Sequence, residues 1–149
     1  MRPGLRRTGS DAPNQAATRD SRLRDITSAV ESFTYELAVA VAGDEPAFDA
    51  TVSRELAQRL RAALRPHLNS HERMRPDFGS FAEVRIEGEL LDSTRPVRVD
   101  VEFEDQSVRE LTGGRLIPVP PRRVHLTLRV DLDPCVIRDC AVSLREHTG

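Results

Sequence analysis

Three stretches in the last third of the chain alternate apolar and polar residues. The alternation is regular over residues 97–104 and 124–132, and it continues less regularly over residues 136–144. A period of two predicts β-strands that bury one face and expose the other. Such strands are typical of an antiparallel sheet that is covered on one side.

A fourth alternating stretch, residues 81–91, lies earlier in the chain. It carries Gly88 on its apolar side, which predicts a bulge or a close approach by a helix. The prolines of residues 118–121 cannot donate ladder hydrogen bonds, so that segment is expected at an edge or off the sheet. The four stretches together predict an antiparallel meander.

Residues 20–42 show helical periodicity instead. Their apolar positions fall on one stripe and are Leu23, Ile26, Val30, Phe33, Leu37 and Val41. Gly43 is placed to end this helix. Residues 44–66 continue with either one bent helix or two short ones: Asp44 and Ser53 are the candidate caps, and Pro66 is the expected end.

Residues 1–19 contain few apolar side chains and are expected to form a disordered tail. Residues 20–146 are expected to form a single α+β domain. In it, two or three N-terminal helices pack on one face of a curved four-stranded antiparallel meander.

Composition narrows the function classes. The formal net charge is −2, which gives no general attraction to nucleic acid. The two cysteines, Cys135 and Cys140, are too few for a disulfide framework, and no apolar run has the length of a membrane span. We therefore expect a cytoplasmic chain with no nucleic-acid partner. A membrane-linked adaptor, resting on Arg2, Arg6 and Arg7 of the N-terminal tail, ranks last among the functions considered.

The apolar side of the predicted meander offers little chemistry. No carboxylate or imidazole falls in phase with it, and Arg138 is its one polar candidate. That arginine is expected to snorkel or to lie at a bulge. His67 and His71, with Glu72 beside them, could share a helix face, but no third ligand follows at metal spacing. The sequence thus predicts no metal, no cofactor and no catalytic residue.

The order of elements resembles a known fold. The supporting patterns are Gly-Asp-Glu-Pro-Ala-Phe at residues 43–48, Ser-Arg-Glu-Leu at residues 53–56, and Val-Asp-Val-Glu-Phe-Glu-Asp-Gln-Ser-Val at residues 99–108. Over residues 22–145 the chain resembles the cone-fold superfamily of nuclear transport factor-like (SnoaL-like) proteins. Since all helices precede all strands, it is most similar to the branch with the C-terminal domain of the mitochondrial import-motor tether. The resemblance implies an enzyme, a ligand binder or a non-catalytic adaptor, so the fold does not choose among them.

Two main functions remain open at this point. The first is a non-catalytic binding or assembly module with a protein partner or a second copy, because Ile137 and Ala141 are expected on an exposed face of the last strand. The alternative is a small-molecule binder or a lyase- or isomerase-type enzyme with an apolar cone pocket. The residues expected to line that pocket are Phe33, Tyr35, Phe81, Phe103 and Arg138.

Overall fold

A computed structural model describes residues 3–68 and 73–146. It has two helices, α1 (Pro3–Val41) and α2 (Arg54–Leu68), followed by strands. The strands are β1 (Arg73–Arg75), β2 (Glu83–Glu87), β3 (Val97–Asp105), β4 (Val108–Glu110), β5 (Leu116–Ile117), β6 (Arg122–Asp131) and β7 (Val136–Glu146). The prediction of an α+β chain with an antiparallel sheet is confirmed.

The main sheet has four strands in the order β2-β3-β6-β7, and every neighbouring pair is antiparallel. Residues opposite each other in such a sheet share a face. Val84, Val101, Leu126 and Val142 therefore form one row across the inner, apolar face. The alternation read from residues 97–104 and 124–132 matches the burial of β3 and β6 except at Asp100, which is buried on the outer face.

A second sheet of three short strands, in the order β1-β4-β5, was not expected from the sequence. Strand β1 reads Arg73-Met74-Arg75, which is too short and too polar to show a period of two. Gly113 and Gly114 turn the chain between β4 and β5, both with positive φ.

Helix α1 begins earlier than the sequence predicts. Residues 3–19 were expected to be disordered, whereas their backbone is helical. The side chains of residues 13–20 are all exposed, whereas Arg22 donates to a backbone carbonyl after β2 and Leu23 packs against the core. Among the described side chains, the helix therefore joins the packed part of the fold from about Arg22 onward. Gly43 ends it as expected, with φ +94° and a hydrogen bond from its N–H to the Ala40 carbonyl.

The segment between the helices is irregular, so a helical piece starting at Asp44 was wrongly predicted. Ser53 does cap the next helix: its Oγ accepts a hydrogen bond from the Leu56 N–H at 3.2 Å. Pro66 lies inside α2, which ends two residues later than expected.

The core lies between the helices and the inner face of the main sheet. Its buried residues are Ile26, Ala29, Val30, Phe33, Val52, Leu56, Ala57, Leu90, Val97, Val99, Val101, Phe103, Val124, Leu126, Leu128, Val130, Leu132 and Ile137. Gly88 follows β2 in a left-handed conformation, where an added Cβ would lie 2.9 Å from Val97 Cγ1. The close approach predicted there comes from the neighbouring strand, not from a helix.

Candidate functional site

The predicted pocket residues lie in different environments in the described part of the chain. Phe33 and Phe103 belong to the core and are 1 % and 2 % exposed. Phe81 packs against Phe103, with ring centroids 6.3 Å apart, while Tyr35 on α1 is 68 % exposed. Three surface depressions of about 380, 300 and 530 Å³ occur among the described residues, and none is lined by any of these side chains or by Arg138.

Arg138 lies at a β-bulge, as the sequence suggested. Val130 pairs with Ile137 and Arg129 pairs with Asp139, so Arg138 is the extra residue of β7. Its side chain is about half exposed and forms an ion pair with Asp131. Arg138 therefore points to a surface carboxylate, away from the core.

The bulge also corrects the predicted phase of β7. Ile137 was expected on an exposed face, but it is fully buried in the core. Ala141 is exposed, as predicted. Beyond the bulge, Cys140, Val142 and Leu144 pair with the buried Leu128, Leu126 and Val124, and so lie on the inner face.

The outer face of the sheet holds a carboxylate that is only 4 % exposed, that of Asp100. Arg98 donates to both of its oxygens, from Nε at 3.0 Å and from Nη2 at 3.1 Å. Thr127 donates its hydroxyl at 3.2 Å, and His125 Nε2 lies 2.9 Å away. Burial would raise the pKa of Asp100, but the hydrogen bonds from Arg98, His125 and Thr127 outweigh it and lower the pKa to about 2.

His125 lies between two carboxylates. Besides the Asp100 contact of Nε2, its Nδ1 is 3.2 Å from Glu102 Oε1. Both ring nitrogens of His125 thus lie within hydrogen-bond reach of a carboxylate. The cluster therefore links β3 and β6 across the outer face of the sheet.

The cysteines are free thiols with little nucleophilic character. Burial, reinforced by the charge of Asp139, raises the pKa of Cys140 to about 12. Burial also raises the pKa of Cys135. Because the thiolate is the reactive form, neither group is prepared for covalent chemistry at neutral pH.

The most accessible binding feature is the outer edge of β7. Within residues 3–68 and 73–146, this edge has one partner, a parallel bridge between Val52 and Ile137. In that bridge Ile137 bonds to Thr51 and Ser53 through its own N–H and carbonyl groups. The edge is thus covered at Ile137. Beyond it no strand of the described part of the chain pairs with the edge, and the Cys140 N–H bonds locally to Asp139 Oδ1.

Apolar side chains accompany the open edge. Val142 and Leu144 are 56 % and 53 % exposed although they lie on the inner face. Helix α2 approaches β7 near Asp139, where Arg59 Nη2 lies 3.0 Å from the carboxylate. The helix therefore leaves the C-terminal half of the strand uncovered.

The opposite edge, strand β2, is less suited to pairing. It has only five residues, and three of them are charged: Glu83, Arg85 and Glu87. Short, charged strands are the usual protection of a sheet edge. Strand β7 is eleven residues long, and its apolar side chains Val142 and Leu144 are more exposed than Val84 of β2.

Comparison with known proteins adds no assignment. No protein-family model, curated protein or solved structure matches this chain. The resemblance to the cone-fold superfamily therefore stays a prediction from sequence patterns.

Among the residues that the structure describes, no group of three or more His, Cys, Asp or Glu side chains is arranged to hold a metal ion. Of the predicted metal candidates, His71, Glu72 and the side chain of His67 lie outside the described residues. No helix in residues 3–68 is both long enough and apolar enough to cross a membrane.

Proposed function

We propose that this chain is a non-catalytic binding or assembly module whose partner adds a β-strand along the open edge of β7. The observation that carries the proposal is the exposure of Val142 and Leu144 beside backbone groups with no strand partner among the described residues. Main-chain hydrogen bonds supply affinity in this mode of recognition, and alternate side chains supply specificity.

Two properties of the polar groups also favour binding over catalysis. Asp100 accepts hydrogen bonds from Arg98 and Thr127, and both ring nitrogens of His125 lie against the carboxylates of Asp100 and Glu102. Burial holds both thiols in their protonated form. The groups that most often carry acid–base or nucleophilic chemistry are thus engaged in structural contacts.

The test is site-specific photocrosslinking in the native cell. A photoreactive phenylalanine analogue replaces Val142 in one variant and Val84 in another. The two positions are matched, because they occupy the two ends of the same inner-face row and are 56 % and 42 % exposed. We expect a defined adduct at position 142 that disappears when Leu144→Asp is added, and none at position 84.

The mapped site identifies the partner as a second copy or as another protein, and either result supports the proposal. The absence of an adduct at position 142 contradicts it. Equal, diffuse labelling from both positions contradicts it as well, because it shows that the edge of β7 has no special role.

A further inference from the structure

We infer that the strand added to β7 is β7 of a second copy, paired antiparallel about a two-fold axis at Val142. This inference rests on the proposed function, because it uses the same edge, and it names the partner and the register. Two four-stranded sheets would join into one sheet of eight.

The faces of the sheet limit the registers available. Residues opposite each other in an antiparallel pair must lie on the same face. On the far side of the bulge, Asp139, Ala141, Ser143 and Arg145 pair with outer-face residues of β6. In a continuous sheet with two-fold symmetry, these four outer-face residues of one copy must therefore lie opposite outer-face residues of the other. This requires the two-fold axis to pass through a residue position, because an axis between two residues would place outer-face residues opposite inner-face ones.

Charge then selects one register. An axis at Val142 places Asp139 of each copy opposite Arg145 of the other, which gives two unlike pairs. An axis at Ala141 places Asp139 opposite Ser143, and an axis at Ser143 places Arg145 opposite Ala141. Neither of those registers pairs unlike charges.

The bridge at Ile137 limits the registers further. The edge groups of Ile137 already bond to Thr51 and Ser53, so an axis at Ala141, which would place Arg145 opposite Ile137, is disfavoured. An axis at Val142 keeps the whole paired segment beyond the bridge.

The apolar side chains also agree with an axis at Val142. In this register Val142 of one copy lies opposite Val142 of the other, and Cys140 of each copy lies opposite Leu144 of the other on the inner face. The two most exposed apolar side chains of the strand, Val142 and Leu144, would be covered by apolar neighbours. A single strand pair is a small interface, so we expect a dissociation constant on the order of 10 µM.

The test uses charge reversal in the full chain. Asp139→Arg and Arg145→Asp each create two like-charge pairs in their own dimer, and we expect each to dimerise about tenfold more weakly than the natural chain. Mixing the two variants recreates two unlike pairs per heterodimer. We therefore expect the mixture to recover the natural affinity within about twofold, measured by equilibrium sedimentation and native mass spectrometry.

Two control variants reverse the same charges on the other edge. Arg85→Asp and Glu87→Arg alter exposed outer-face residues of β2 and should leave dimerisation unchanged. Asp139→Arg also loses the ion pair with Arg59, so its unfolding curve is recorded beside its association. Arg145→Asp keeps the ion pair between Arg59 and Asp139, so it tests the effect of charge reversal on dimerisation without that loss.

The outcomes separate the two proposals. Recovery in the mixture supports the self-pairing register. A natural chain that stays monomeric up to about 1 mM, while position 142 crosslinks to a different protein, overturns the self-pairing and supports the binding edge. A dimer that is insensitive to both charge reversals overturns the register.

Discussion

His125 Nε2 lies 2.9 Å from Asp100 Oδ1, joining the two central strands across the outer face of the sheet. The alternation of residues 97–104 places Asp100 on the solvent side, yet its side chain is only 4 % exposed. Arg98 and Thr127 complete its set of donors. A carboxylate enclosed by donors in this way depends on all of them, since the loss of its charge leaves them poorly paired.

Replacement of this carboxylate should destabilise the fold. We expect Asp100→Asn to lower the free energy of unfolding by about 1–3 kcal/mol, because the charged hydrogen bonds from Arg98 and His125 are lost. Chemical denaturation followed by circular dichroism measures this. The control is Glu104→Gln on the same strand and face, which should change stability by less than about 0.5 kcal/mol. Equal effects of the two substitutions would contradict the structural role of Asp100.

The same carboxylate should give stability a defined acid dependence. Its pKa is about 2 in the folded chain against an ordinary 3.8, so the unfolded chain binds more protons between these values. The contribution of Asp100 is thus complete above about pH 4 and is lost as the pH falls toward 2. We expect the stability gap between the natural chain and Asp100→Asn to narrow by about 1–2 kcal/mol from pH 7 to pH 2. If the difference in free energy of unfolding between the two chains does not change with pH, the ionised form of Asp100 does not stabilise the fold.

The bulge in β7 can be tested by neighbouring substitutions. Ile137 is fully buried, so Ile137→Ala should cost about 2–4 kcal/mol. Val136 is only partly buried, and Val136→Ala should cost less than about 1 kcal/mol. Thermal unfolding of both variants decides the phase, because a strand with the simple alternation would give the larger loss at Val136.

The contact at Gly88 gives a fourth prediction. An alanine there meets Val97 Cγ1 at 2.9 Å and must also hold φ +131°. We expect Gly88→Ala to cost about 2–3 kcal/mol from both effects. Gly113→Ala, at φ +98° with open space around it, isolates the backbone effect and should cost about 1 kcal/mol. Similar unfolding midpoints for the two variants would rule out the close approach.

The sequence predicts the centre of the main sheet better than its margins. Strands β3 and β6 have neighbours on both sides and helices over one face, so burial follows the alternation of their side chains. Strand β1 is too short to show an apolar–polar alternation in its sequence, and its three residues form a strand by pairing with β4. That pairing is a tertiary effect that a local pattern does not contain.

The helix ends also differ in how far the sequence predicts them, because some depend on local hydrogen bonds and others on contacts with distant residues. Gly43 and Ser53 act through local hydrogen bonds, which the sequence reveals directly. Asp44 has the chemistry of a cap, yet no helix follows it. Instead, Glu36 of α1 accepts a hydrogen bond from the Ala47 N–H, a long-range contact that no cap pattern indicates.

The sequence predicts the candidate binding edge only in part. The irregular alternation of residues 136–144 signalled a disturbance, and a bulge at Arg138 was among the expectations. The sequence did not reveal that the extra residue turns Ile137 into the core and leaves Val142 and Leu144 open, because that depends on how far α2 extends over β7.

The Val52–Ile137 bridge sets a limit on growth. A sheet edge that is open along its full length can recruit strands in many alignments, which is how fibrils begin. By occupying the first part of β7, the residues around Val52 shorten the template and penalise alignments that run over Ile137. Because β2 at the far side of the sheet is short and charged, the pairing proposed at β7 would leave no comparable edge to which further strands could add.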